Sequence, residues 1–488
     1  MPPTLTDISE DIRLAARALG EFGSGLFNPT VRLGVTGLSG AGKTVFITAL
    51  VHQLLHGGRL PVFEAMASGR IARARLEPQP DDAVPRFDYE THLHALTAER
   101  RWPDSTNRIS ELRLVIDYQS ARRGARNRTL TLDIVDYPGE WLLDLPLLAT
   151  SYAQWSADTL KLSRTGPRAM LAAPWRRHLA TLNPETPENE QTALQAARLF
   201  TDYLLACRND RYAMRLLPPG RFLMPGDLAG SPALTFAPLE LSNEGPAPAG
   251  SLWAMMQRRY EAYKDAIVRP FYREHFARLD RQIVLVDALA AFNAGPDAVK
   301  DLEGALTAIL ASFRTGRATF ASALFRPRID RILFAATKAD HLHHTNHDRL
   351  EHALARMTAR AIERAHYSGA SVDVVALAAV RATREAIVAR GRDKLPAIIG
   401  TPLAGETAGN DSFDGETEVA SFPGDLPNDQ AALFEGFKGL TAASADETDF
   451  RFLRFRPPPT EPGASGAPTL PHIHLDRALQ FLLGDRLA

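Results

Sequence analysis

The sequence predicts an α/β protein with a mainly parallel central sheet, and three observations favour this fold. Short runs rich in β-branched residues alternate with stretches of helical spacing, as strands do when helices connect them. The first run leads directly into a glycine-rich loop that is followed by a helix pattern. Two long stretches, one helical and one rich in Gly, Asp, Thr and Pro, interrupt the alternation as insertions. The predicted strands cover residues 31–36, 112–119, 129–135, 282–287, 331–336 and 373–377.

Composition and charge narrow the class of protein. Hydrophobic residues make up 45% of the 488-residue chain and charged residues 23%, as in ordinary soluble proteins. The formal net charge is −1, without the basic excess of most nucleic-acid-binding proteins, so no nucleic-acid partner is expected. Cys207 is the single cysteine, which excludes an internal disulfide and indicates a reducing compartment. The sequence contains no recognisable secretory signal or membrane-spanning run, so a cytoplasmic location is expected.

An amphipathic helix is predicted near the N-terminus, where Ile8, Ile12, Ala15 and Leu19 share one helical stripe. A helix docked on its own domain is the favoured interpretation. The alternative is a helix that contacts a protein partner, or that lies peripherally on the inner membrane.

The loop after the first strand, Gly37-Leu38-Ser39-Gly40-Ala41-Gly42-Lys43-Thr44, has the spacing of a phosphate-binding P-loop. Gly37, Gly40 and Gly42 let consecutive N–H groups point inward, and the following helix adds its positive dipole end. Lys43 is expected to reach the β- and γ-phosphates, and the Thr44 hydroxyl to ligate Mg²⁺. The residues predicted to contact the nucleotide are Gly37, Ser39, Gly40, Ala41, Gly42, Lys43, Thr44 and Val45.

Residues 59–105 look irregular and partly helical because several prolines interrupt them. A β-hairpin follows, with four arginines in or beside its turn: Arg122, Arg123, Arg126 and Arg128. A solvated basic tip is favoured over a phosphate or nucleic-acid patch. The second hairpin strand ends at Asp136, in the segment Asp136-Tyr137-Pro138-Gly139. A carboxylate at the end of a buried strand can hold Mg²⁺, and the Gly139 amide can meet a γ-phosphate.

The segment Thr337-Lys338-Ala339-Asp340 directly follows another predicted strand. The Asp340 carboxylate can accept hydrogen bonds from guanine N1–H and N2–H₂, a donor pair that adenine lacks. The aliphatic stem of Lys338 can cover the base and ribose. These residues favour GTP over ATP, although Thr337 stands where Asn is usual.

In kind and in order, these motifs resemble those of Ras-like GTPases of the P-loop class. The resemblance implies two further segments. A threonine that completes the magnesium shell would be Thr106, with Ser105 as the fallback, and a backbone amide for the base would come from Ala378 or Ala379 in Ala376-Leu377-Ala378-Ala379. Mg²⁺ would then be held by Thr44, Thr106 and Asp136.

More narrowly, almost the whole chain resembles the YcjX-like family of bacterial P-loop proteins. The segments GLSGAGKTVFITAL, DYPGEWLLDLPLL, DRQIVLVDAL, ATKADHL and FPGDLP support the resemblance. The family implies a GTP-binding Ras-like core with large insertions, and an association with bacterial stress response.

Glu140 follows Gly139 where a Ras-type switch has a water-positioning glutamine. A glutamate can orient water but adds negative charge near the γ-phosphate, so slow intrinsic hydrolysis is expected unless an arginine of the same chain helps. Arg100, Arg101 and Arg108 flank the presumed first switch and are the candidates. The residues with predicted catalytic roles are Lys43, Thr106, Gly139 and Glu140.

Two further features have simpler interpretations. His341, His343, His344 and His347 form a cluster that could bind a transition metal, but no carboxylate or cysteine accompanies them at ligand spacing. A solvated loop is therefore favoured. Asp287 ends a strand and is interpreted as a capping or switch-contacting residue, because Asp136 already fills the magnesium role.

The chain divides into five segments on this interpretation. They are an N-terminal helix with the first part of the core (1–140), a helical insertion (141–280), the guanine-binding part of the core (281–395), a loop- and β-rich insertion (396–460) that ends in a strand at 450–455, and a C-terminal segment (461–488) with a helix over Leu475–Leu487. An insertion directly after the second switch is expected to report the nucleotide state to a protein partner.

Three functions are consistent with these residues. The first is magnesium-dependent hydrolysis of GTP to GDP and phosphate by a molecular switch. The second is a nucleotide-binding scaffold that hydrolyses negligibly and acts through its insertions, which Glu140 favours. The third, an ATPase motor or kinase, is disfavoured by Thr337–Asp340.

Overall fold

The computed structural model describes residues 29–121, 127–241, 245–313, 329–390, 393–408, 411–428, 434, 452–463 and 466–488. The predicted N-terminal helix and three of the turn arginines, Arg122, Arg123 and Arg126, lie outside these ranges. No helix among the described residues combines the length and the apolar character needed to cross a bilayer.

A seven-stranded sheet forms the centre of the molecule, in the order β2-β3-β4-β1-β5-β6-β7. Pairing is parallel between β1 and β4, β1 and β5, β5 and β6, and β6 and β7, whereas β2 and β3 are antiparallel to their neighbours. The mainly parallel, Ras-like sheet predicted from the sequence is confirmed. The strands are β1 (Thr30–Thr36), β2 (Ile71–Glu77), β3 (Ser110–Gln119), β4 (Asn127–Asp136), β5 (Arg281–Val286), β6 (Arg331–Thr337) and β7 (Ser371–Leu377).

All six strands predicted for this sheet are present, and the edge strand β2 was missed. It lies within residues 59–105, which the sequence analysis described as irregular. None of its side chains is fully buried, so its apolar pattern is weak. Its position is decided by backbone pairing with β3 and by the Arg75–Asp117 ion pair at 2.5 Å.

The sheet separates two hydrophobic layers because successive side chains of each strand point to opposite faces. In β6, Phe334 belongs to one layer and Leu333 to the other. The Leu333 face is covered by the P-loop helix (Lys43–His56) and the C-terminal helix (Leu475–Leu483). The C-terminal helix ends earlier than the predicted Leu487, although Leu487 is still buried.

The Phe334 layer is continuous with a helical insertion between β4 and β5. Its centre is a cluster of aromatic side chains in which the Trp155 and Tyr260 rings stack with centroids 5.2 Å apart. Because this cluster and the sheet share one core, the insertion is packed onto the core domain rather than tethered to it.

The α-helices cover Lys43–His56, Glu64–Ala67, Tyr89–Thr97, Tyr152–Leu162, Arg168–Leu171, Ala173–Leu179, Glu190–Arg208, Gly220–Leu223, Leu252–Tyr263, Arg269–Phe271, Ala288–Ala294, Pro296–Ala311, His347–Met357, Ala359–Tyr367 and Leu475–Leu483. The 3₁₀-helices cover Gly139–Ala149, Gly226–Leu228, Pro232–Leu234, Ala339–His341 and His344–Asn346, and π-helical turns cover Lys264–Val268 and Tyr272–Phe276.

Two small antiparallel sheets follow the central sheet along the chain, and the first of their strands begins at Arg384, before the predicted start of the second insertion at residue 396. One has the order β12-β9-β8, and the other pairs β10 with β11. The predicted strand at 450–455 is not present in residues 452–455, where only Phe455 forms an isolated bridge, with Pro402. The strands are β8 (Arg384–Arg390), β9 (Asp393–Gly400), β10 (Thr407–Ala408), β11 (Asp411–Ser412) and β12 (Val419–Ser421).

Candidate functional site

A cavity of about 320 Å³ lies at the carboxyl ends of the parallel strands, where loops from distant parts of the chain meet. The P-loop, the segment before β3, the loop after β6 and the loop after β7 all contribute to its wall. The lining comprises residues 40–46, 102–106, Thr337, Lys338, Asp340, His341, 377–380, Leu403, Arg454 and Phe455. The structure thus brings together four of the five motifs predicted from the sequence; Asp136 and Gly139 are not among the lining residues.

The P-loop has the backbone geometry that its glycines permit. Gly40 and Gly42 have φ angles of 79° and 84°, in the left-handed region that other residues rarely adopt. The helix begins at Lys43, so its N-terminal N–H groups face the cavity. The Lys43 ammonium donates to the Gly37 carbonyl at 2.8 Å and is thereby held within the loop.

Gly37 and Gly139 are required for close backbone approach rather than for a special φ angle. A Cβ atom on Gly139 would lie 2.0 Å from the Gly37 carbonyl oxygen, and one on Gly37 would lie 2.7 Å from the Leu285 oxygen. The segment after β4 therefore packs directly against the first residue of the P-loop. Any side chain at position 139 would push these two segments apart.

Three oxygen-bearing side chains meet beside the P-loop, as the sequence predicted for the magnesium shell. The Thr106 hydroxyl donates to Asp136 Oδ2 at 2.7 Å and lies 3.2 Å from the Thr44 hydroxyl. Ser105, the fallback for Thr106, also lines the cavity.

The environment of the Asp136 carboxylate suits the binding of a cation. Its Oδ1 is buried and has no hydrogen-bond partner among the described residues. Burial raises the pKa of Asp136 to about 6, although the Lys43 charge and the Thr106 hydroxyl act in the opposite direction. Two hydroxyls and one carboxylate with an unpaired oxygen fit a hard divalent cation such as Mg²⁺.

The loop after β6 presents Asp340 to the cavity and fixes it through a neighbouring loop. Asp340 Oδ2 accepts from the Ala382 N–H at 2.7 Å, and the Asp340 carbonyl accepts from the Thr383 hydroxyl. The preceding residue, Lys338, has a left-handed φ of 60°. Its ammonium donates to Asp287 at 2.5 Å, so the lysine stem is held along the cavity wall.

Asp287 has the capping role that was expected of it. Its Oδ1 accepts from the Ala290 N–H at 3.1 Å and so caps the helix Ala288–Ala294. Thr337, where Asn is usual, donates its hydroxyl to the Val286 carbonyl at 3.3 Å. The Thr337–Val286 contact ties the end of β6 to the end of β5, as the Lys338–Asp287 bond does for the loop after β6.

The loop after β7 lines the cavity with both predicted alanines. The Ala378 N–H, however, donates to the Ile473 carbonyl at 3.1 Å, and the Ile473 N–H donates back at 2.9 Å. In this structure the Ala378 N–H is therefore engaged, and Ala379 is the better candidate to offer a backbone donor to a base.

Glu140 is not among the residues that line the cavity. Its side chain is 5% exposed and points to the helical insertion, where Oε1 lies 3.6 Å from the Arg208 guanidinium. A Cβ on Gly220 of the same insertion would lie 1.7 Å from the Glu140 carbonyl oxygen, so the two segments are in close contact. The structure thus places Glu140 at an interface with the insertion, a contact that sequence patterns do not reveal.

The three candidate arginines of the first switch also lie outside the cavity wall. Arg100 donates to the Pro457 carbonyl at 3.1 Å, and Arg101 pairs with Glu99 at 3.1 Å. Arg108 is not part of the wall either.

The arginine that does line the cavity is Arg454, which the sequence analysis missed. It pairs with Glu406 at 2.6 Å and with Asp210 at 3.1 Å, and so connects the β-rich and helical insertions. Next to it, the Phe455 ring lies edge-on to His341, and the Phe455 carbonyl accepts from the Trp102 indole at 2.6 Å. An alternating aromatic and basic run was the available signal, but it was interpreted only as a strand.

The solvated-loop interpretation of the histidine cluster is wrong for most of its members. His341, His343 and His347 are buried, and only His344 is exposed. His347 is fixed by a contact of its Nε2 with the Ala339 carbonyl at 3.0 Å. The compact 3₁₀ turns that follow β6 fold these side chains inward.

Comparison with known proteins points to one family. The model of the YcjX-like family, DUF463, matches residues 31–487. A relative named Ras-like GTPase YcjX, from Escherichia coli (strain K12), is 39% identical over 471 residues, which cover 94% of this chain and 96% of the relative. A relative of the same name from Shewanella oneidensis is 35% identical over 487 residues, with 94% of each chain covered.

Among solved structures, a chain of the signal recognition particle receptor SRb-GTP/SRX complex from Chaetomium thermophilum overlaps 74% of this chain and 93% of its own length. Its sequence identity is 14% and its TM-score is 0.24, and no inference is drawn from so low a score.

Proposed function

Because the chain belongs to the YcjX-like family, we propose that it binds GTP together with Mg²⁺, hydrolyses it slowly to GDP and phosphate, and acts as a nucleotide-dependent switch. The observation that supports this proposal best is the cavity shared by the P-loop, Thr106 and Asp340. Groups that can donate hydrogen bonds to phosphate line one part of its wall. The Asp340 carboxylate, proposed to select guanine, lines another part. Its volume of about 320 Å³ is in the range of small-molecule sites.

At the phosphate end, the P-loop N–H groups and the Lys43 ammonium provide positive charge without steric bulk. Lys43 donates to Gly37 in this structure and would exchange that carbonyl for phosphate oxygens. Thr44, Thr106 and Asp136 would hold Mg²⁺. When bound, the ion would neutralise negative charge that develops on the phosphoryl oxygens. The unpaired Asp136 Oδ1 supports this assignment.

Slow turnover is expected because, among the residues that the structure describes, Glu140 lies outside the cavity wall and the arginine of that wall is engaged elsewhere. Glu140 packs against Arg208, and Arg454 is paired with two carboxylates. A water-positioning side chain and a free arginine would have to be supplied by rearrangement or by a partner.

The helical insertion is proposed to report the nucleotide state to a protein partner. Glu140 directly follows Gly139 and contacts Arg208 of the insertion, and Asp144, near the start of the insertion, accepts from the Gly220 N–H further along it. Loss of a γ-phosphate would release the Gly139 amide and so alter these contacts. A role in bacterial stress response and a cytoplasmic or peripheral membrane location stay predictions from the sequence.

A second candidate function is a nucleotide-binding scaffold with negligible hydrolysis. The burial of Glu140 away from the cavity favours it. Single-turnover phosphate release from Mg²⁺–GTP distinguishes the two: release above the rate of free GTP supports the enzyme, and its absence supports the scaffold.

The base assignment is tested by Asp340→Asn. An asparagine can still accept from the Ala382 N–H, so the loop is kept, but its amide replaces a carboxylate oxygen with a donor that opposes guanine N1–H and N2–H₂. We expect GTP affinity to fall by roughly 1–3 kcal/mol, or about tenfold to a hundredfold. Affinity for XTP should rise, because xanthine has a carbonyl where guanine has the amino group.

The control is Asp348→Asn, at an exposed position of the helix His347–Met357. Binding of GTP, XTP and ATP is measured in parallel with Mg²⁺. Equal affinity of the unmodified protein for ATP and GTP, or unchanged specificity in Asp340→Asn, would contradict the guanine assignment and leave only a P-loop nucleotide site.

A further inference from the structure

A second group of potential metal ligands lies outside the cavity, between the loop after β6 and the small sheet. It comprises His343, His344 and Glu385, whose candidate ligand atoms all lie within 4.8 Å of one another. In the sequence no carboxylate accompanies these histidines at ligand spacing, and Glu385 is 41 residues beyond His344. The fold brings the Glu385 carboxylate next to the two histidines.

We propose that His343 Nε2, His344 Nδ1 and Glu385 Oε2 form a binding site for Zn²⁺ or a similar first-row divalent metal. Two imidazoles and one carboxylate are a ligand set that zinc sites use, and a fourth position would be left for water. Nothing in the proposed GTPase reaction requires this site.

The spacing of the ligand atoms is close to what a metal needs. In a tetrahedral site with bonds of about 2.0–2.1 Å, ligand atoms lie roughly 3.3 Å apart. Here the Glu385 Oε2 is 2.7 Å from His344 Nδ1 and 3.9 Å from His343 Nε2. The two distances to Glu385 would each have to change by about 0.6 Å, one lengthening and the other shortening, and the two ring nitrogens, which lie within 4.8 Å of each other, would have to adjust to the same spacing. Side-chain rotation can supply these changes.

The surrounding contacts orient the ligands toward one point. The Glu385 Oε1 accepts from the His344 backbone N–H at 3.1 Å, which leaves Oε2 to face both rings. Thr345 Oγ1 lies 3.1 Å from His343 Nδ1 and fixes that ring with Nε2 directed at the carboxylate. The Thr345 N–H also lies 3.5 Å from this Nδ1. A metal-binding histidine donates its other ring N–H, so metal binding at Nε2 would require Nδ1 to carry the proton and to donate it to Thr345 Oγ1 in place of that contact.

Charge and exposure also suit an accessible metal site. Glu385 supplies a carboxylate, whose negative charge offsets part of the charge of a divalent cation. The His344 side chain is 62% exposed, which gives a metal a path to the site. One cation opposes binding: the Arg381 guanidinium lies 3.7 Å from Glu385 Oε1.

The site would join the two loops that position Asp340. His343 and His344 follow Asp340 in the same loop, and Glu385 lies in β8 just after Ala382, whose N–H donates to the Asp340 carboxylate. A metal there would hold these loops together without contacting the nucleotide.

The test is calorimetric titration of Zn²⁺ into the full-length protein with saturating Mg²⁺ and no nucleotide, so that the Thr44–Asp136 cluster does not compete. Co²⁺ is titrated in parallel, because its visible absorption bands report tetrahedral coordination by nitrogen and oxygen. We expect one equivalent to bind at this site. His344→Ala and Glu385→Gln should each weaken binding at least tenfold.

Three comparisons keep the result interpretable. Glu385→Gln retains an acceptor for the His344 N–H, so its fold should be preserved. His352→Ala removes an exposed histidine of the nearby helix His347–Met357 and should leave Zn²⁺ affinity unchanged. Arg381→Gln removes the opposing cation and should tighten Zn²⁺ binding severalfold.

The proposal is overturned if the unmodified protein binds no Zn²⁺, if His344→Ala and Glu385→Gln bind it as tightly as the unmodified protein, or if Arg381→Gln binds it no more tightly. Each of these results would leave the GTP-binding proposal untouched, because the site and its readout do not involve the nucleotide.

Discussion

At the scale of single residues, the groups proposed to bind the nucleotide form hydrogen bonds within the protein that the nucleotide would replace. Lys43 donates to the Gly37 carbonyl, and Thr106 donates to Asp136. Each contact keeps a polar group satisfied and can be exchanged for a ligand without leaving a buried group unpaired. Asp136 Oδ1 differs from these groups, because no described residue forms a hydrogen bond with it. This unpaired oxygen is the reason for proposing that Asp136 binds the metal.

Thr106→Ala should weaken Mg²⁺-dependent GTP binding by about tenfold to a hundredfold, the usual effect of removing a group that holds or orients a metal ligand. It deletes one hydroxyl of the magnesium shell and leaves Asp136 without its donor. GDP binding should change less, because this segment is engaged chiefly when a γ-phosphate is present. Fluorescent nucleotide titrations with and without Mg²⁺ measure both effects.

Ser105→Ala is the comparison variant, since Ser105 lines the same cavity and was the alternative assignment. A larger loss in Ser105→Ala than in Thr106→Ala would show that the serine, and not the threonine, completes the magnesium shell.

We expect the free energy of unfolding to depend on pH through the titration of Asp144. The side chain accepts from the Gly220 N–H at 2.7 Å and from the Tyr263 hydroxyl at 2.6 Å. Burial raises the pKa of Asp144 to about 7, although these bonds and Arg221 act to lower it. The folded state therefore binds a proton more tightly than the unfolded state does, and this contribution to stability is lost as pH rises from about 4 to about 7.

Asp144→Asn removes the titration but keeps groups that can pair with Gly220 and Tyr263. The free energy of unfolding, measured in urea between pH 4 and 8, should depend less on pH in the variant, by up to about 1.4 kcal/mol per pH unit. Asp280, whose pKa burial raises to about 6, would contribute to the slope that remains. Equal slopes in both proteins would mean that Asp144 is ionised in the folded state.

At the scale of secondary-structure elements, the helix Glu190–Arg208 is the part of the insertion best placed to sense the nucleotide. Its last residue, Arg208, pairs with Glu140, and Asp210 just beyond it pairs with Arg454 of the cavity wall. The end of one helix therefore contacts both Glu140, directly after Gly139, and Arg454 of the cavity wall.

Glu140→Gln and Arg208→Gln should each reduce the difference in hydrogen exchange of this helix between the GTP-analogue and GDP states. The double variant should lose little more than either single variant, because both substitutions break one contact. In unfolding experiments the pair should show a coupling energy on the order of 1 kcal/mol, since Glu140 is buried but Arg208 is partly exposed.

Arg198→Gln, an exposed change in the same helix, is the control and should leave the exchange difference intact. If the insertion shows identical exchange and identical position in both nucleotide states of the unmodified protein, its proposed reporting role is wrong.

At the scale of the whole molecule, the end of the chain returns to complete the core. The C-terminal helix (Leu475–Leu483) lies on the same sheet face as the P-loop helix. Beyond the helix, Asp485 accepts two bonds from the fully buried Arg281 of β5, at 2.5 and 2.7 Å. Contacts between sequence positions so far apart make the core one cooperative unit.

Leu479→Ala should lower the free energy of unfolding by about 2–5 kcal/mol, the range for a leucine removed from a packed core. Leu479 is completely buried in the layer that also contains residues of β1, β5 and β6. Leu205→Ala, at a side chain that is 43% exposed, should change stability by no more than about 0.5 kcal/mol. Similar small losses in both variants would mean that the C-terminal helix folds independently of the core.

Local sequence was sufficient for the features in which one short segment contains all the chemistry. The P-loop, the segment Asp136–Gly139 and the segment Thr337–Asp340 each combine a strand end with a few neighbouring side chains, so periodicity and residue type located them. The six strands that were predicted are those with buried, β-branched cores. The edge strand β2 was missed because its side chains are only partly buried.

Tertiary structure alone decided the contacts that join distant positions. Asp210 and Arg454 are 244 residues apart, and His344 and Glu385 are 41 apart, yet each pair lies within hydrogen-bonding distance. The interface of Glu140 with the insertion, the arginine of the cavity wall and the carboxylate beside the histidines all depend on how elements pack. A single sequence encodes such contacts only through the whole fold, because no local period or spacing relates their residues.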